Sequence, residues 1–183
     1  YRSITRGYEL VSHLAHRILV GGVSTGGTLL LRLAAETRVE GIISLASAIY
    51  LVNPLARFAS ILKYLRRFSP TPLLEGDEGY YYEKRPLAAV AELVKLTRLV
   101  RLKKVKEISQ PILIVQSKTD PTVAPKSADF IYQHVKSARK TLVWLEDAPH
   151  VVISDHNPEK RFVHEKILQF IEDLESQRQR PGS

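Results

Sequence analysis

The chain has 183 residues, of which 44% are apolar, and a formal net charge of +8. This composition suits one packed domain and excludes wholesale disorder, and the absence of cysteine excludes disulfides, thiolate nucleophiles and cysteine metal sites. The apolar runs are all shorter than the roughly 20 residues that a membrane span needs, and we expect a cytoplasmic protein without stable membrane insertion.

The first predicted elements alternate between helix and strand. Residues 3–16 are predicted to form a helix that Ser3 caps, because Tyr8, Val11 and Leu14 recur at helical spacing. The apolar run "RILVGGVS" then predicts a buried strand, "GGTLLLRLAAET" a helix and "VEGIISLAS" a second buried strand.

The segment 50–106 is predicted to be mainly helical, with a loop at "SPTPLLEGDEGYYYEKRP" that prolines and glycines mark. After it, "PILIVQSKTD" predicts a third buried strand, "PKSADFIYQHVKS" a helix, "KTLVWLEDAPH" a fourth strand and "NPEKRFVHEKILQFIEDLE" an amphipathic helix. We therefore predict an α/β protein with a parallel sheet of about four strands covered on both faces. The segment 50–106 would form a cap over the C-terminal edge of the sheet, where ligands bind in open α/β sheets.

The stretch from Gly22 to Gly26 reads G-V-S-T-G, which matches the G-x-S-x-G pattern of a nucleophile elbow. It lies between a predicted strand and a predicted helix, as that pattern requires. We expect Ser24 on a tight, strained turn, and we expect glycine to be needed at 22 and 26 because a Cβ would clash with the neighbouring strand and helix. The pattern alone leaves a plain glycine-rich turn open, whereas a phosphate-binding loop fails because no lysine follows.

A serine nucleophile needs a base, and the base needs an orienting acid. His150 follows the fourth predicted strand and Asp120 follows the third, so both belong at the same sheet edge as Ser24. The chain order serine, aspartate, histidine is that of α/β-hydrolases. Asp120 could instead be a turn former and His150 a loop histidine, but we favour the catalytic interpretation. The rival acids Asp147 and Asp155 crowd His150 in sequence rather than facing it across a neighbouring strand.

These motifs resemble the α/β-hydrolase superfamily, and within it the bacterial carboxylesterases and monoacylglycerol lipases. The resemblance rests on "GGVSTGG" and on the run from "PILIVQSKTDPTVAPKSADFIYQHV" through "LVWLEDAPHVVISDH" to the last helix. It implies that Ser24 is the nucleophile, Asp120 the acid and His150 the base, with the Thr25 backbone N–H as an oxyanion donor. It also implies no metal or organic cofactor, and a short- to medium-chain acyl ester or monoglyceride as the small-molecule substrate.

That family places its elbow after the fifth strand of an eight-stranded sheet, whereas here the elbow follows the first predicted strand. By the resemblance, residues 1–49 and 107–176 form the C-terminal part of the hydrolase core, equivalent to strands five to eight. Residues 50–106 form the cap, and residues 177–183 form a tail. The chain contains no methionine, and we expect a partial fold that lacks the N-terminal strands and the second oxyanion donor, which follows the third strand. The unpaired edge of the elbow strand then predicts a homo-oligomer.

The resulting prediction is a serine carboxylic ester hydrolase that acts through an acyl-enzyme, with an apolar acyl pocket formed by Leu51, Leu55 and Phe58. The alternative is a truncated hydrolase-fold module with little catalysis that acts by binding or self-assembly. The basic segment 84–106 raises a third interpretation, binding to nucleic acid or an anionic membrane surface. We do not expect nucleic acid as a partner, because no aromatic platform is interleaved with the charges.

Overall fold

The computed structural model describes residues 1–70 and 84–176, which form six strands and six α-helices. The strands are β1 (Leu19–Val23), β2 (Gly41–Leu45), β3 (Phe68–Pro70), β4 (Lys84–Pro86), β5 (Ile112–Ser117) and β6 (Lys140–Leu145). The helices are α1 (Arg2–Leu14), α2 (Thr25–Glu36), α3 (Ala59–Leu65), α4 (Leu87–Leu99), α5 (Lys126–His134) and α6 (Lys160–Ser176). A short π-helical turn, Val100–Lys104, continues α4.

Four strands form one parallel sheet in the order β1-β2-β5-β6. The register pairs Val23 with Leu45, Leu45 with Val115 and Ser117 with Leu145, so the carboxyl ends of the strands meet along one edge. The central strands β2 and β5 are buried at every position, which explains why their sequences are continuous apolar runs. The predicted four-stranded parallel sheet is confirmed.

Helices cover both faces of the sheet, and the alternation of side chains along each strand builds two cores. One core joins α2 and α5 to one face of the sheet through Leu31, Ile42 and Ile131. The other joins α6 to the opposite face through Leu113 and Phe170. Fully burying an aliphatic or aromatic side chain of this size stabilises a fold by about 1.5–3 kcal/mol, so these contacts fix the sheet and the loops that leave its carboxyl edge.

Helix α1 begins earlier than the sequence pattern indicated. It starts at Arg2 with Tyr1 in the cap position, and no side chain caps it. The backbone N–H groups of Ile4 and Thr5 instead donate to the Tyr1 carbonyl. Ser3 therefore lies inside the first turn, and the prediction that it caps the helix was wrong.

The segment 50–106 is largely helical, as predicted, but it also contains a short antiparallel pair of strands. β3 pairs with β4, with Ser69 opposite Arg85, so the predicted loop was wrong at its two ends. The rest of that loop, residues 71–83, and the predicted tail, residues 177–183, lie outside the described residues. The division of the chain into core and cap stays a prediction. Of the helices in residues 1–70 and 84–176, none has the length and apolar character to cross a membrane.

Candidate active site

Ser24 occupies the single residue between β1 and α2. Its backbone has φ 55° and ψ −120°, a positive-φ conformation that is costly for a residue with a side chain. Hydrogen bonds hold this turn from both sides, since the Ser24 N–H donates to the Leu45 carbonyl at 2.9 Å and the Thr28 N–H donates to the Ser24 carbonyl at 3.0 Å. The turn places the Ser24 side chain at the carboxyl edge of the sheet, beside the N-terminus of α2.

Two glycines allow this turn, and only Gly22 is one of the two that the motif indicated. A Cβ on Gly22 would lie 2.7 Å from Leu30 Cδ1, as expected for a crowded elbow. A Cβ on Gly26 would meet nothing within 4 Å, so the expected clash at Gly26 was wrong. A Cβ on Gly27 would lie 2.1 Å from Ser47 Oγ and 2.8 Å from the Gly22 carbonyl oxygen. Gly27 is therefore the helix position at which α2 needs glycine.

Ser24, His150 and Asp120 form a continuous chain of hydrogen bonds. Ser24 Oγ lies 2.8 Å from His150 Nε2, and His150 Nδ1 lies 2.8 Å from Asp120 Oδ2. An ionised carboxylate can only accept, so Nδ1 carries the proton that it donates. With the ring in this tautomer, Nε2 accepts from the serine hydroxyl. This arrangement can move a proton from Ser24 Oγ to His150 Nε2.

Asp120 is a buried carboxylate with all of its oxygens engaged. It is 4% exposed, and its Oδ1 accepts from the backbone N–H groups of Thr122 at 2.8 Å and Val123 at 2.9 Å. Burial by itself would raise the pKa of Asp120. The hydrogen bond to His150, the charge that His150 can carry and the two backbone amides together outweigh burial, so the pKa of Asp120 is lowered and the group is an anion at neutral pH.

Gln116 is a site residue that sequence reasoning missed. Its side chain is 1% exposed in the middle of the sheet, and its Nε2 donates to Asp120 Oδ2 at 3.0 Å. The signal in the sequence was a glutamine at the end of the apolar run "PILIV", four residues before Asp120. Gln116 and His150 therefore hold the same carboxylate oxygen from two directions.

The rival acids have other partners in the described structure. Asp147 accepts from the Thr119 hydroxyl at 2.9 Å, and Asp155 pairs with Lys160. Asp120 is the carboxylate that contacts His150.

The remaining predicted site residues differ in exposure and in their contacts. Thr25 is exposed and begins α2, where the N–H groups of the first turn have no intrahelical acceptor. Leu51 is half-buried and forms a β-bridge with Val123, beside the Asp120 turn. Leu55 and Phe58 are 61% and 42% exposed, so their assignment to an acyl pocket stays a prediction. Within the described part of the chain, no three His, Asp or Glu side chains cluster as metal ligands would.

A parallel sheet with a strained serine turn at its carboxyl edge, followed by loops that supply an aspartate and a histidine, defines the architecture of an α/β-hydrolase. The family described as "Alpha/beta hydrolase family" matches residues 3–165 of this chain. The chain belongs to that family, which confirms the resemblance found in the sequence.

Two curated relatives are close enough to align over nearly the whole chain. A carboxylesterase from Bacillus subtilis (strain 168) is 28% identical over 180 residues, which are 96% of this chain and 72% of the relative. A thermostable monoacylglycerol lipase from Bacillus sp. (strain H-257) is 29% identical over 172 residues, which are 92% of this chain and 68% of the relative. Together with the family match, these relatives identify the chain as a hydrolase.

Solved structures confirm the fold. A structure from work on the metagenome-derived lipolytic enzymes LipS and LipT has a TM-score of 0.83 and 24% identity, and it covers 93% of this chain and 71% of its own. A monoacylglycerol lipase from Paleococcus ferrophilus has a TM-score of 0.78 and 14% identity, covering 94% of this chain and 74% of its own. At these sequence identities, the structural similarity shows the fold alone.

The crowding at Gly27 can be tested against the open space at Gly26. Gly27→Ala is expected to lower the free energy of unfolding by about 3 kcal/mol, because the added Cβ meets a backbone carbonyl that cannot move aside. Gly26→Ala is the matched control and is expected to change stability by less than about 1 kcal/mol, since alanine favours helix and meets no neighbour. Urea unfolding measures both, and equal losses in the two variants would contradict this account of the turn.

The lowered pKa of Asp120 predicts a pH dependence of stability. A carboxyl group whose pKa is lower in the folded state stabilises the fold above its unfolded pKa of about 3.9, and that contribution is lost as pH falls through the folded pKa. As pH falls below about 4, the wild type should therefore lose stability more steeply than Asp120→Asn, by at most about 1.4 kcal/mol per pH unit. Urea unfolding at a series of pH values measures the slopes, near-ultraviolet circular dichroism checks that the variant is folded, and parallel slopes would exclude the coupling.

Proposed function

We propose that this chain is a serine carboxylic ester hydrolase in which Ser24, His150 and Asp120 act as the catalytic triad. The observation that supports it most is the chain of 2.8 Å hydrogen bonds from Ser24 Oγ through His150 to Asp120. Ester hydrolysis is also the activity in the names of both curated relatives, a carboxylesterase and a monoacylglycerol lipase.

The proposed reaction has two halves. Ser24 Oγ attacks the ester carbonyl carbon while His150 Nε2 takes the serine proton, and Asp120 stabilises the imidazolium that forms. The tetrahedral intermediate collapses, the C–O bond to the alcohol breaks, and His150 returns the proton to the departing alcohol. Water then attacks the acyl-enzyme with His150 as the base, which releases the carboxylic acid and restores the Ser24 hydroxyl.

The N-terminus of α2 supports the charge that this reaction develops. The negative oxygen of the tetrahedral intermediate would lie beside Ser24, where we assign the Thr25 backbone N–H as a hydrogen-bond donor. That N–H belongs to the first turn of α2, and the helix dipole adds a partial positive charge at the same point. The chemistry proposed for these residues needs no metal or organic cofactor.

We assign the substrate class as short- to medium-chain acyl esters or monoglycerides. The names of the two relatives support it, and so does the apolar surface that follows β2. Leu51 lies beside the Asp120 turn through its bridge to Val123, and Leu55 and Phe58 come shortly after it with exposed side chains. These three residues form the proposed contact surface for the acyl chain.

A second candidate is a hydrolase-fold module that acts chiefly by self-assembly, with little catalysis. The observation that favours it is the position of β1, which hydrogen-bonds only to β2 within the described residues. An unpaired strand edge is a template for pairing with another chain. We therefore propose self-association along the β1 edge, which is compatible with either candidate.

Substitution of Ser24 separates the two candidates. Ser24→Ala is expected to lower turnover of p-nitrophenyl acyl esters by at least about 10³-fold, because the nucleophile is lost while the fold is kept. A fluorophosphonate should label the wild type and leave Ser24→Ala unlabelled.

The matched control is Ser12→Ala, which removes an exposed hydroxyl on α1 and should keep wild-type turnover and labelling. Equal ester turnover in wild type and Ser24→Ala would exclude the esterase proposal. Labelling of Ser24 without measurable turnover would favour the module with little catalysis.

Self-association along β1 is tested by sedimentation. Gly21 is exposed on β1, and a Cβ there meets only ordinary contacts with Ile43, so Gly21→Lys adds a charge to the edge without disturbing the sheet. We expect a wild-type dimer and a monomeric Gly21→Lys variant. Thr141→Lys, at an exposed position on the opposite edge strand β6, is the control and should stay dimeric. A wild type that sediments as a stable monomer contradicts the proposal.

A further inference from the structure

We propose that a groove between α5 and the π-helical turn after α4 is a binding site for a small aromatic carboxylate. The groove has a volume of about 210 Å³ and is lined by Tyr50, Arg101, Leu102, Lys106, Phe130 and His134. None of the three triad side chains lines it. Its size is below the roughly 300–1,000 Å³ of pockets for drug-sized ligands, so it suits a ligand of about one ring.

The aromatic part of the groove is held in a fixed arrangement. The rings of Phe130 and His134 are stacked with centroids 4.0 Å apart and planes at 19°. His134 Nδ1 donates to the Phe130 carbonyl at 2.9 Å, which fixes the orientation of the imidazole. The rings of Tyr50 and Phe130 form a T-shaped contact, with centroids 5.7 Å apart and planes at 84°. Stacking covers the two ring faces that meet, so another ring would pack on the aromatic lining that the stacked pair and Tyr50 leave open to the groove.

Cations surround this aromatic surface. Arg101 Cζ and Lys126 Nζ lie 4.9 Å and 4.8 Å from the centroid of Tyr50, both within the range of a cation–π contact. Arg101 and Lys106 line the groove itself, and Lys126 is a third positive charge next to the lining residue Tyr50. These cations should repel one another, so the groove gains from a bound anion.

No acid of residues 1–70 and 84–176 neutralises these three cations through an ion pair. The neighbouring Lys104 behaves differently, since it lies 2.9 Å from Glu107 and 3.5 Å from Glu36. The cations at the groove are thus in place for an external anion. A carboxylate matches the planar fork of an arginine and can accept two hydrogen bonds from it.

The combination of an aromatic lining with an arginine that has no acidic partner within residues 1–70 and 84–176 selects for both parts of the ligand. A ring without a charge would leave the cations unpaired, and an anion without a ring would leave the Phe130–His134 surface uncovered. An aromatic carboxylate satisfies both. The inference rests on the groove alone and does not depend on the proposed esterase activity.

The test is a titration of the full chain with benzoate, with neutral benzamide and with inorganic phosphate, followed by calorimetry and by the proton resonances of the Phe130 and His134 rings. Benzoate is expected to bind saturably, with one molecule per chain, and to shift both rings. Benzamide and phosphate are each expected to bind at least about tenfold more weakly, because each lacks one of the two interactions.

Two variants on one turn separate specific recognition from general charge. Arg101→Gln removes a lining cation and is expected to weaken benzoate binding by at least about tenfold. Lys103→Gln removes the same charge from an exposed neighbour outside the lining and should keep the wild-type affinity. Phe130→Leu removes the stacking surface and should weaken benzoate more than phosphate.

Three results would overturn the proposal. If Arg101→Gln and Lys103→Gln weaken benzoate binding equally, the binding depends on net charge rather than on the groove. Equal affinity for benzoate and benzamide, or for benzoate and phosphate, would remove the aromatic carboxylate as the ligand class. An absence of saturable benzoate binding through the millimolar range would show that the groove is not a site for this class.

Discussion

The close approach of α2 to the end of β1 is the contact on which the arrangement of the active edge depends. The helix comes so near that Gly27 faces the Gly22 carbonyl and Ser47 Oγ without room for a Cβ on Gly27. Thr28, fully buried one residue later, donates its hydroxyl to the Ala48 carbonyl at 2.9 Å and so ties the same helix to the chain that leaves β2. Because α2 is held on both sides, the chain between strand and helix is reduced to one residue, and Ser24 must adopt its positive φ.

The parallel register then does the rest of the positioning. β1, β5 and β6 end at one edge, so the residues that follow them meet although 126 positions separate Ser24 from His150. An unpaired carboxylate would be unstable in so buried a place, and Asp120 is stabilised there by Thr122, Val123, Gln116 and His150. The acid is thereby fixed before any substrate arrives, and its fixed position sets the orientation of the imidazole that contacts Ser24.

The features that could be predicted from the sequence are those that depend on local pattern and chain order. The continuous apolar runs of β2 and β5 reflect burial on both faces, and the order of Ser24, Asp120 and His150 follows from which loops reach the same edge. What could not be predicted depends on distant partners. Gly27 rather than Gly26 is crowded because α2 packs against the Gly22 carbonyl oxygen of β1 and against Ser47, which lies some 20 residues along the chain.

Two other features that the sequence did not predict also depend on contacts with other parts of the chain. β3 and β4 contain Pro70 and Pro86, and proline disfavours the prediction of a strand from sequence. The two segments are strands because each pairs with the other, which is a contact between residues far apart in the chain. Gln116 belongs to no recognisable motif, and its role follows from its hydrogen bond to the Asp120 carboxylate.

The positive charge of the chain is not one uniform solvated surface. In the basic segment 84–106, Lys95 pairs with Glu92, and Lys104 pairs with Glu36 and Glu107. The exposed Lys95–Glu92 pair contributes little to stability. Arg101 differs from these lysines because it lies over the ring of Tyr50 rather than beside a carboxylate. The backbone N–H and carbonyl of Tyr50 both bond Ser127 Oγ, at 2.9 Å and 3.1 Å, which fixes Tyr50 against α5. One lysine- and arginine-rich segment therefore contains cations that pair with carboxylates and a cation that packs on an aromatic ring. The packing of distant residues against the segment decides which cation does which.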